Sequence, residues 1–364
     1  MGRDGLSHSE RHHLGNLRKM SMKALVLKEY NNLIFEDLPE PKAGPYDVII
    51  KVKACGICGS DVHGVDGSTG RRKPPIIMGH EAAGVIVEAG SNVQGWSNGD
   101  RVTFDSTIYC GVCDFCCRGD INLCNNRRVL GVSCNDYRQN GAFAEFVVVP
   151  HHILYRLPDT VSFEQGAMVE ALSIALHAVS LPSISLNDTA LVVGTGMIGL
   201  LIVQALRASG CGSIIAVDMA QDRLELARSL GADVCLKADT RNVPEEVKKL
   251  TSGRGADIAF EAVGVQPSVE SAVESLTKGG SLVLVGNLSP RVELPLVTIV
   301  TRQLILYGSC ASCGEYPACL DMIARGAIDV DALISATARL SEGASWFDRL
   351  YRKEAGLMKV ILQP

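Results

Sequence analysis

The sequence lacks a strong charge of either sign and any apolar run long enough to cross a bilayer. Its formal net charge is -5, which offers no general attraction to nucleic acid. Its longest apolar candidates, such as residues 198–208, are interrupted by polar side chains, whereas a spanning helix needs about 20 apolar residues. We therefore predict no nucleic-acid partner and no membrane span, and a small molecule as the partner.

A secretory signal is also missing, although the chain holds thirteen cysteines. An odd count spread along a large chain indicates reduced thiols and metal ligands rather than a disulfide framework. We therefore expect a cytoplasmic protein. Hydrophobic residues make up 47% of the 364 positions, so the chain is long enough for two well-packed domains.

Four segments differ in their residue patterns. Residues 1–21 show no apolar periodicity and predict a disordered extension. Residues 22–173 alternate short strand-like runs with glycine-rich turns, which predicts a β-barrel-like domain. Residues 174–308 hold apolar strands separated by helical stretches, a βαβ series that implies a parallel sheet. The tail, 309–364, offers one helix and one final strand, so we expect it to return to the first domain.

The strongest local pattern is a C-x2-C-x2-C-x7-C spacing formed by Cys110, Cys113, Cys116 and Cys124, within a lobe over 106–126. Four thiolates at this spacing can close a tetrahedral cage around one zinc ion, and a filled cage leaves no position for substrate. Buried free thiols or disulfides are the alternatives. Cys117 could replace Cys116 as a ligand, although only Cys116 gives two consecutive C-x2-C steps.

A glycine-rich turn predicts a dinucleotide site. Gly194, Gly196 and Gly199 follow an apolar strand and open a helix, where unpaired N–H groups can meet a pyrophosphate. Asp218 ends the next strand, where it can accept hydrogen bonds from a ribose and would repel a 2′-phosphate, so NAD is favoured over NADP. Alternatively, the glycines only pack a strand against a helix. The predicted cofactor residues are Gly194, Gly196, Met197, Ile198, Gly199, Asp218, Arg223, Val285 and Gly286.

A second set of metal-ligating residue types has no single spacing. Cys58 lies upstream of His80 and Glu81, and Glu170 follows much later. Cysteine, histidine and glutamate can form an open zinc site with a position left for water or substrate. Taken singly, His80 could be a core histidine and the two glutamates surface carboxylates, but both glutamates stand among apolar or small residues, where an unpaired charge is costly.

Five motifs together carry a family resemblance over residues 22–364. They are Gly-Ile-Cys-Gly-Ser-Asp-Val-His (56–63), Gly-His-Glu (79–81), the four-cysteine lobe, Val-Glu-Ala-Leu-Ser (169–173) and Gly-Thr-Gly-Met-Ile-Gly (194–199). The chain resembles the zinc-dependent medium-chain dehydrogenase/reductase family, with the sorbitol (polyol) dehydrogenase branch nearest. The resemblance implies an α/β fold with a GroES-like β-barrel catalytic domain and a Rossmann coenzyme domain with a doubly wound parallel sheet.

The resemblance also implies roles for individual residues. Cys58, His80 and Glu170 would ligate a catalytic zinc, with Glu81 close behind them or exchanging as a ligand. Asp61 would orient the His80 ring. Two zinc ions per chain and NAD are the implied cofactors, and the family is often dimeric or tetrameric, so a homo-oligomer is expected.

The chemistry implied is oxidation of a secondary alcohol or polyol to a ketone. The zinc would lower the pKa of the substrate hydroxyl, and a hydride would leave for the nicotinamide. Ser60, the nicotinamide ribose hydroxyls and His63 would relay the proton to water.

Three departures bear on the substrate. Sorbitol dehydrogenases carry tyrosine at the position of Gly64 and an arginine-tyrosine pair at Ala311 and Ser312, so the groups expected to hold a sorbitol chain are missing here.

The basic run at residues 71–73 either meets an anionic substrate or is a solvated turn.

Three other functions share some of these sequence features. Threonine dehydrogenases resemble the chain in fold and zinc sites, although Glu170 and the residues after it favour the polyol branch. A non-catalytic redox sensor would show a broken ligand set, yet no ligand is missing. A zinc-ribbon nucleic-acid binder would bring a basic stripe to its cage, which here has Asp114 and Asp120 instead.

Overall fold

The computed structural model describes residues 21–364. The predicted extension over 1–21 lies outside the described residues, apart from Ser21, which begins the first strand. No helix within the described residues is long and apolar enough to cross a membrane.

From residue 21 to residue 180, the structure contains twelve short strands and four α-helices. The strands are β1 (Ser21–Glu29), β2 (Asn32–Pro39), β3 (Asp47–Gly56), β4 (Ile76–Ile77), β5 (Glu81–Ala89), β6 (Arg101–Phe104), β7 (Thr107–Ile108), β8 (Arg128–Val129), β9 (Val132–Ser133), β10 (Arg138–Gln139), β11 (Phe146–Pro150) and β12 (Leu154–Arg156). The helices are α1 (Gly59–Val62), α2 (Asp114–Arg118), α3 (Phe163–Ala167) and α4 (Val169–Ser180).

The second half alternates strands with helices before a mixed tail. The strands are β13 (Thr189–Val193), β14 (Ser213–Asp218), β15 (Val234–Lys237), β16 (Ala256–Glu261), β17 (Leu276–Leu284), β18 (Ile305–Gly308), β19 (Ile334–Arg339) and β20 (Lys359–Gln363). The helices are α5 (Met197–Ala208), α6 (Gln221–Ser229), α7 (Val243–Leu250), α8 (Gln266–Ser275), α9 (Leu296–Thr301), α10 (Tyr316–Ala324) and α11 (Gly343–Tyr351).

A seven-stranded sheet forms the centre of the first half. Its order is β12-β6-β5-β3-β20-β19, with β11 also paired to β3. The C-terminal strand β20 runs antiparallel to β3 and lies between β3 and β19. The tail contains β19 and α11 in addition to the helix and strand that the sequence predicts there.

The second sheet is parallel throughout and has the order β15-β14-β13-β16-β17-β18. All five residues of β13 are buried, as expected where helices cover both faces of a parallel sheet. The chain winds outward from β13 first to one side and then to the other. The carboxyl end of β13 is therefore the switch point, where open α/β sheets bind their ligands.

One hydrophobic core joins the two halves. It includes Ala54 and Ala83 from the first sheet, and residues of β13 and α5 from the second. Helix α4 contributes Leu172 and Ala175 to the same core and packs against α5. The helix that carries Glu170 is thus fixed between the two sheets.

Candidate active site and metal centres

Strand pairing brings Cys58, His80 and Glu81 together. In the antiparallel pair of β3 and β5, Gly56 lies opposite Glu81. Cys58 follows two residues after β3, and His80 directly precedes β5. One ligand atom from each of Cys58, His80 and Glu81 lies within 4.8 Å of the others, although the residues are far apart along the chain.

Asp61 stands behind the His80 ring. Its Oδ2 lies 3.3 Å from His80 Nδ1, a close electrostatic contact outside hydrogen-bond geometry. Burial alone would raise the pKa of Asp61, but His80 and Arg72 outweigh it and lower the pKa to about 2. Burial alone would lower the pKa of His80, yet the charges of Asp61 and Cys58 raise it above its usual value. The ring therefore lies close to both the Asp61 carboxylate and the Cys58 thiol.

Two cations that sequence reasoning missed neutralise buried carboxylates in this group. Arg72 donates to Asp61 Oδ1 from both Nε and Nη2, at 3.1 and 2.8 Å. Lys359 Nζ lies 2.5 Å from Glu81 Oε2 and also donates to the carbonyl oxygen of Ile57. Arg72 is only 4% exposed, so the solvated-turn interpretation of residues 71–73 is wrong for this residue.

Glu170 lies near this group but outside its 4.8 Å limit. Its Oε1 accepts a long hydrogen bond of 3.5 Å from Ser106 Oγ. Burial raises the pKa of Glu170 to about 7, with Glu81 acting in the same direction and with His80 and Lys359 acting against it. The carboxylate thus faces the group from α4.

The two predicted relay residues lie on α1 and directly after it. Ser60 is exposed, and its Oγ donates to Cys58 Sγ at 3.3 Å while accepting from Arg72 Nη2 at 3.3 Å. His63 caps the C-terminal end of α1, half-buried, with its ring centroid 6.3 Å from that of Tyr351. Ser60 therefore touches the candidate ligand Cys58, and His63 lies one helical turn further along.

The four lobe cysteines form a second compact group. Single Sγ atoms of Cys110, Cys113, Cys116 and Cys124 lie within 4.8 Å of one another, whereas Cys117 is exposed and outside the group. The backbone N–H groups of Cys110 and Asn126 donate to Cys124 Sγ. Such amide donors stabilise thiolates, and four thiolates suit a tetrahedral zinc ion.

The glycine-rich turn combines two tightly packed glycines with one that faces open space. Gly194 adopts a φ of +92°, and a Cβ on Gly199 would lie 1.8 Å from the Gly194 carbonyl oxygen. A Cβ on Gly196 would meet nothing within 4 Å. The first and last glycines are thus required by backbone packing, while Gly196 faces open space at the N-terminal end of α5, beside Met197 and Ile198.

Asp218 is held at the end of β14. Its Oδ2 accepts from the backbone N–H and the hydroxyl of Thr195, at 2.7 and 3.1 Å, and its Oδ1 accepts from the Ala220 N–H. Arg223 lies half-buried in the first turn of α6. The carboxylate is therefore tied directly to the glycine-rich turn.

Val285 and Gly286 form the matching turn after β17. Their backbone N–H groups both donate to the carbonyl oxygen of Glu261 at 2.9 Å, and a Cβ on Gly286 would collide with Val263 and Gly264. This turn closes against the loop after β16, on the other side of the switch point.

Two family models match the chain. An alcohol dehydrogenase GroES-like domain matches residues 44–159, and a zinc-binding dehydrogenase model matches residues 198–325. Sorbitol dehydrogenase of Bacillus subtilis (strain 168) is 33% identical over 349 residues, covering 94% of this chain and 98% of that protein. The chain belongs to the zinc-dependent medium-chain dehydrogenase/reductase family. The predicted α/β fold of a GroES-like domain and a Rossmann-like domain is confirmed.

Other relatives have polyol-related names. L-idonate 5-dehydrogenase of Vitis vinifera is 37% identical and covers 81% of each chain. D-arabitol-phosphate dehydrogenase of Enterococcus avium is 34% identical, covering 92% of this chain and 94% of that one.

Solved structures of the family resemble this chain over most of its length. A zinc-binding-dehydrogenase homologue of Sinorhizobium meliloti 1021, bound to NADP, has a TM-score of 0.88 at 33% identity and covers 94% of this chain and 99% of its own. An alcohol dehydrogenase of Escherichia coli CFT073, complexed with NADH, has a TM-score of 0.88 at 29% identity, with coverages of 95% and 100%.

The donor sets fit the zinc that the family implies. Four potential anions and two cations surround His80. The anions are Cys58, Asp61, Glu81 and Glu170, and the cations are Arg72 and Lys359. A divalent cation would offset this excess of negative charge. An oxidoreductase with zinc and a nicotinamide cofactor is the activity that the family supports.

We expect each metal group to hold one zinc ion independently. Cys113→Ser should lower the zinc content from about two to about one per chain and lower the melting temperature, because the cage ties the lobe together. Cys58→Ser should lose the other ion with little effect on melting. Metal analysis and thermal melts measure both, and Cys117→Ser is the matched control that keeps both ions. One zinc ion per wild-type chain would contradict the two-site model.

We expect substitutions at Gly199 and Gly196 to affect different properties, namely stability and nucleotide binding. Gly199→Ala should destabilise the fold by about 1–3 kcal/mol, because its Cβ overlaps a backbone oxygen. Gly196→Ala should leave the melting temperature unchanged, since φ at Gly196 is -72°, but weaken nucleotide binding by intruding on the open space. Thermal melts and NADH titrations separate the two effects. Equal losses of stability would show that Gly196 has only a packing role.

Proposed function

We propose that the chain is an NAD-dependent zinc dehydrogenase that oxidises a secondary alcohol or polyol to the ketone. The observation that carries this proposal is the grouping of Cys58, His80 and Glu81 with the nearby Glu170. The alternative of a non-catalytic binding protein would require a broken ligand set. Each predicted ligand type is present here.

Among the two glutamates, Glu170 is the better third ligand. Glu81 Oε2 is already paired with Lys359 at 2.5 Å, so its charge is compensated without a metal. Glu170 has only a long 3.5 Å bond from Ser106, and burial disfavours its charge in the absence of a cation. Cys58, His80 and Glu170 would therefore hold the zinc, with Glu81 behind them.

A bound zinc ion would supply the Lewis acidity that lowers the pKa of a substrate hydroxyl, and the nicotinamide ring would supply the hydride acceptor. Asp61 holds the His80 ring in its binding orientation. Ser60 lies against Cys58 and is exposed, so its hydroxyl can accept the substrate proton. His63, half-buried at the end of the same helix, would pass that proton to solvent.

The substrate class follows from the charges around the site. The two cations near the candidate ligands, Arg72 and Lys359, are buried and already paired with carboxylates. An uncharged polyol therefore suits the site better than a phosphorylated one. The names of the relatives share hydroxyl-rich substrates but differ in charge, since sorbitol is uncharged whereas L-idonate is a carboxylate and D-arabitol phosphate is a phosphate ester. The preference for an uncharged polyol therefore depends on the pairing of Arg72 and Lys359 in this chain.

NAD is proposed as the cofactor because Asp218 would face the adenosine ribose. Its carboxylate is anchored by Thr195 and Ala220, so it cannot easily swing away from a 2′-phosphate. The related structures include one with NADP and one with NADH, so the choice depends on this chain's own residues.

The decisive experiment is a substrate panel in which turnover is measured by the absorbance of NADH or NADPH. Secondary alcohols, uncharged polyols, polyol phosphates and L-threonine should be tested with both nucleotides. We expect turnover with uncharged polyols or secondary alcohols and NAD, with loss of activity in Glu170→Ala. Absence of turnover with every alcohol would refute the enzymatic proposal, and a preference for L-threonine would replace it.

We also propose that the chain forms a homo-oligomer through α9 and the edge strand β18. This α9 patch consists of exposed apolar side chains, namely Leu288, Leu294, Leu296, Val297, Val300 and Ile305. Strand β18 pairs only with β17 in the described chain and so ends the sheet with free backbone groups. A second copy could extend the sheet and cover the patch.

We expect the double substitution Val297→Asp and Val300→Asp to produce monomers in sedimentation analysis, because the two side chains are 76% and 67% exposed on one helix. Leu186→Asp, at a side chain 86% exposed elsewhere, is the matched control that should leave the assembly intact. A monomeric wild-type chain would contradict the proposal.

The cytoplasm is proposed as the compartment. The thirteen cysteines, all within residues 21–364, are free thiols, and eight of them belong to neither metal group. A reducing environment keeps such thiols reduced.

A further inference from the structure

Arg72 is the buried member of an otherwise surface run. Arg71 is exposed and Lys73 is half-buried, but Arg72 is 4% exposed. Its guanidinium donates to Asp61 Oδ1 from Nε and Nη2, and Nη2 also reaches Ser60 Oγ at 3.3 Å. A single side chain thus contacts both the residue behind His80 and the proposed relay hydroxyl.

Asp61 is shared between two partners. It is fully buried, and while Oδ1 accepts from Arg72, Oδ2 lies 3.3 Å from His80 Nδ1. A buried carboxylate without a cation would be strongly destabilised, and a planar guanidinium fixes its orientation better than an ammonium. Arg72 therefore fixes the Asp61 carboxylate, whose other oxygen faces the His80 ring.

Gly64 leaves the space that Arg72 occupies. A Cβ at position 64 would lie 2.3 Å from Arg72 Cγ and 3.1 Å from Arg72 Cβ. These atoms belong to the stem of the arginine, which cannot move aside without withdrawing the guanidinium. The glycine does not have a positive φ, so its role is to provide room.

We infer that Arg72 is a positioning residue of the candidate active site, which holds Asp61 and Ser60 in place from a slot that Gly64 keeps open. This inference rests on the proposed function for its catalytic consequence. It also removes Arg72 from the groups that could bind an anionic substrate. Arg72 acts through Asp61 and Ser60 and does not touch the reacting atoms.

The test compares Arg72→Ala, Arg72→Lys and Gly64→Ala with the wild-type holoenzyme. We expect kcat to fall about 10- to 100-fold in Arg72→Ala, with a much smaller change in KM, since the groups that orient metal ligands have effects of this size. Zinc should also leave the Cys58 site faster when a chelator is added. Arg72→Lys should restore charge but only part of kcat, and added guanidinium should rescue Arg72→Ala but not Arg72→Lys.

Gly64→Ala keeps every charge and tests the slot separately. It should reproduce the loss of kcat, and the double variant with Arg72→Ala should be no worse than Arg72→Ala alone, because both changes remove the same contact. If Arg72→Ala does not fold, Gly64→Ala still tests whether Arg72 positions Asp61 and Ser60. Arg71→Met is the matched control and should keep wild-type kcat, KM and zinc release.

The results that would overturn the positioning role of Arg72 differ from those that would refute the proposed function. Unchanged kcat and zinc release in Arg72→Ala and Gly64→Ala would overturn the positioning role. A raised KM in Arg71→Met together with a normal Arg72→Ala would overturn it in favour of an anion-binding run. Faster zinc release in the Arg72 and Gly64 variants of a chain that oxidises no alcohol would support the positioning role while refuting the proposed function.

Discussion

The antiparallel pairing of β3 with β5 holds the candidate active site together. Cys58 leaves one strand, and His80 and Glu81 enter the other, so the backbone hydrogen bonds between the strands set the distance between these residues. A slip of one residue would turn Glu81 to the opposite face of the sheet. The same sheet accepts β20 beside β3, which carries Lys359 to the Glu81 carboxylate.

Compensated charge is the second constraint on this site. Asp61 and Glu81 are buried, and each has one cation, Arg72 and Lys359 respectively. Breaking a buried pair typically costs about 3–5 kcal/mol because the remaining charge is left without a partner. Lys359 comes from 278 residues further along the chain than Glu81, so the site is complete only when the C-terminal strand is in place.

The sequence predicts those features that depend on near neighbours along the chain. The cysteine lobe is defined by its spacing alone. The glycine-rich turn is a weak pattern by itself and becomes recognisable because it follows the apolar run of β13 and precedes Asp218. Arg72 and Lys359 were not recognisable, because a basic residue near the surface and one near the end of the chain look solvated until the fold buries them. Strand β19 alternates partly buried with exposed residues, and α11 buries only Gly343 and Phe347, so neither has a strong pattern. The position of Glu170 just outside the Cys58 group likewise depends on how α4 packs between the sheets.

The close approach of Arg72 to Gly64 also constrains how this chain could diverge. A side chain at position 64 and an arginine at position 72 exclude each other, so a relative that places bulk at the first position needs a different partner for its aspartate. We expect neither single substitution to be neutral, because a side chain at position 64 would displace the arginine and loss of the arginine would leave the buried Asp61 without its cation. In this chain, a tyrosine at position 64 would therefore need a second change at position 72 to make room for its side chain.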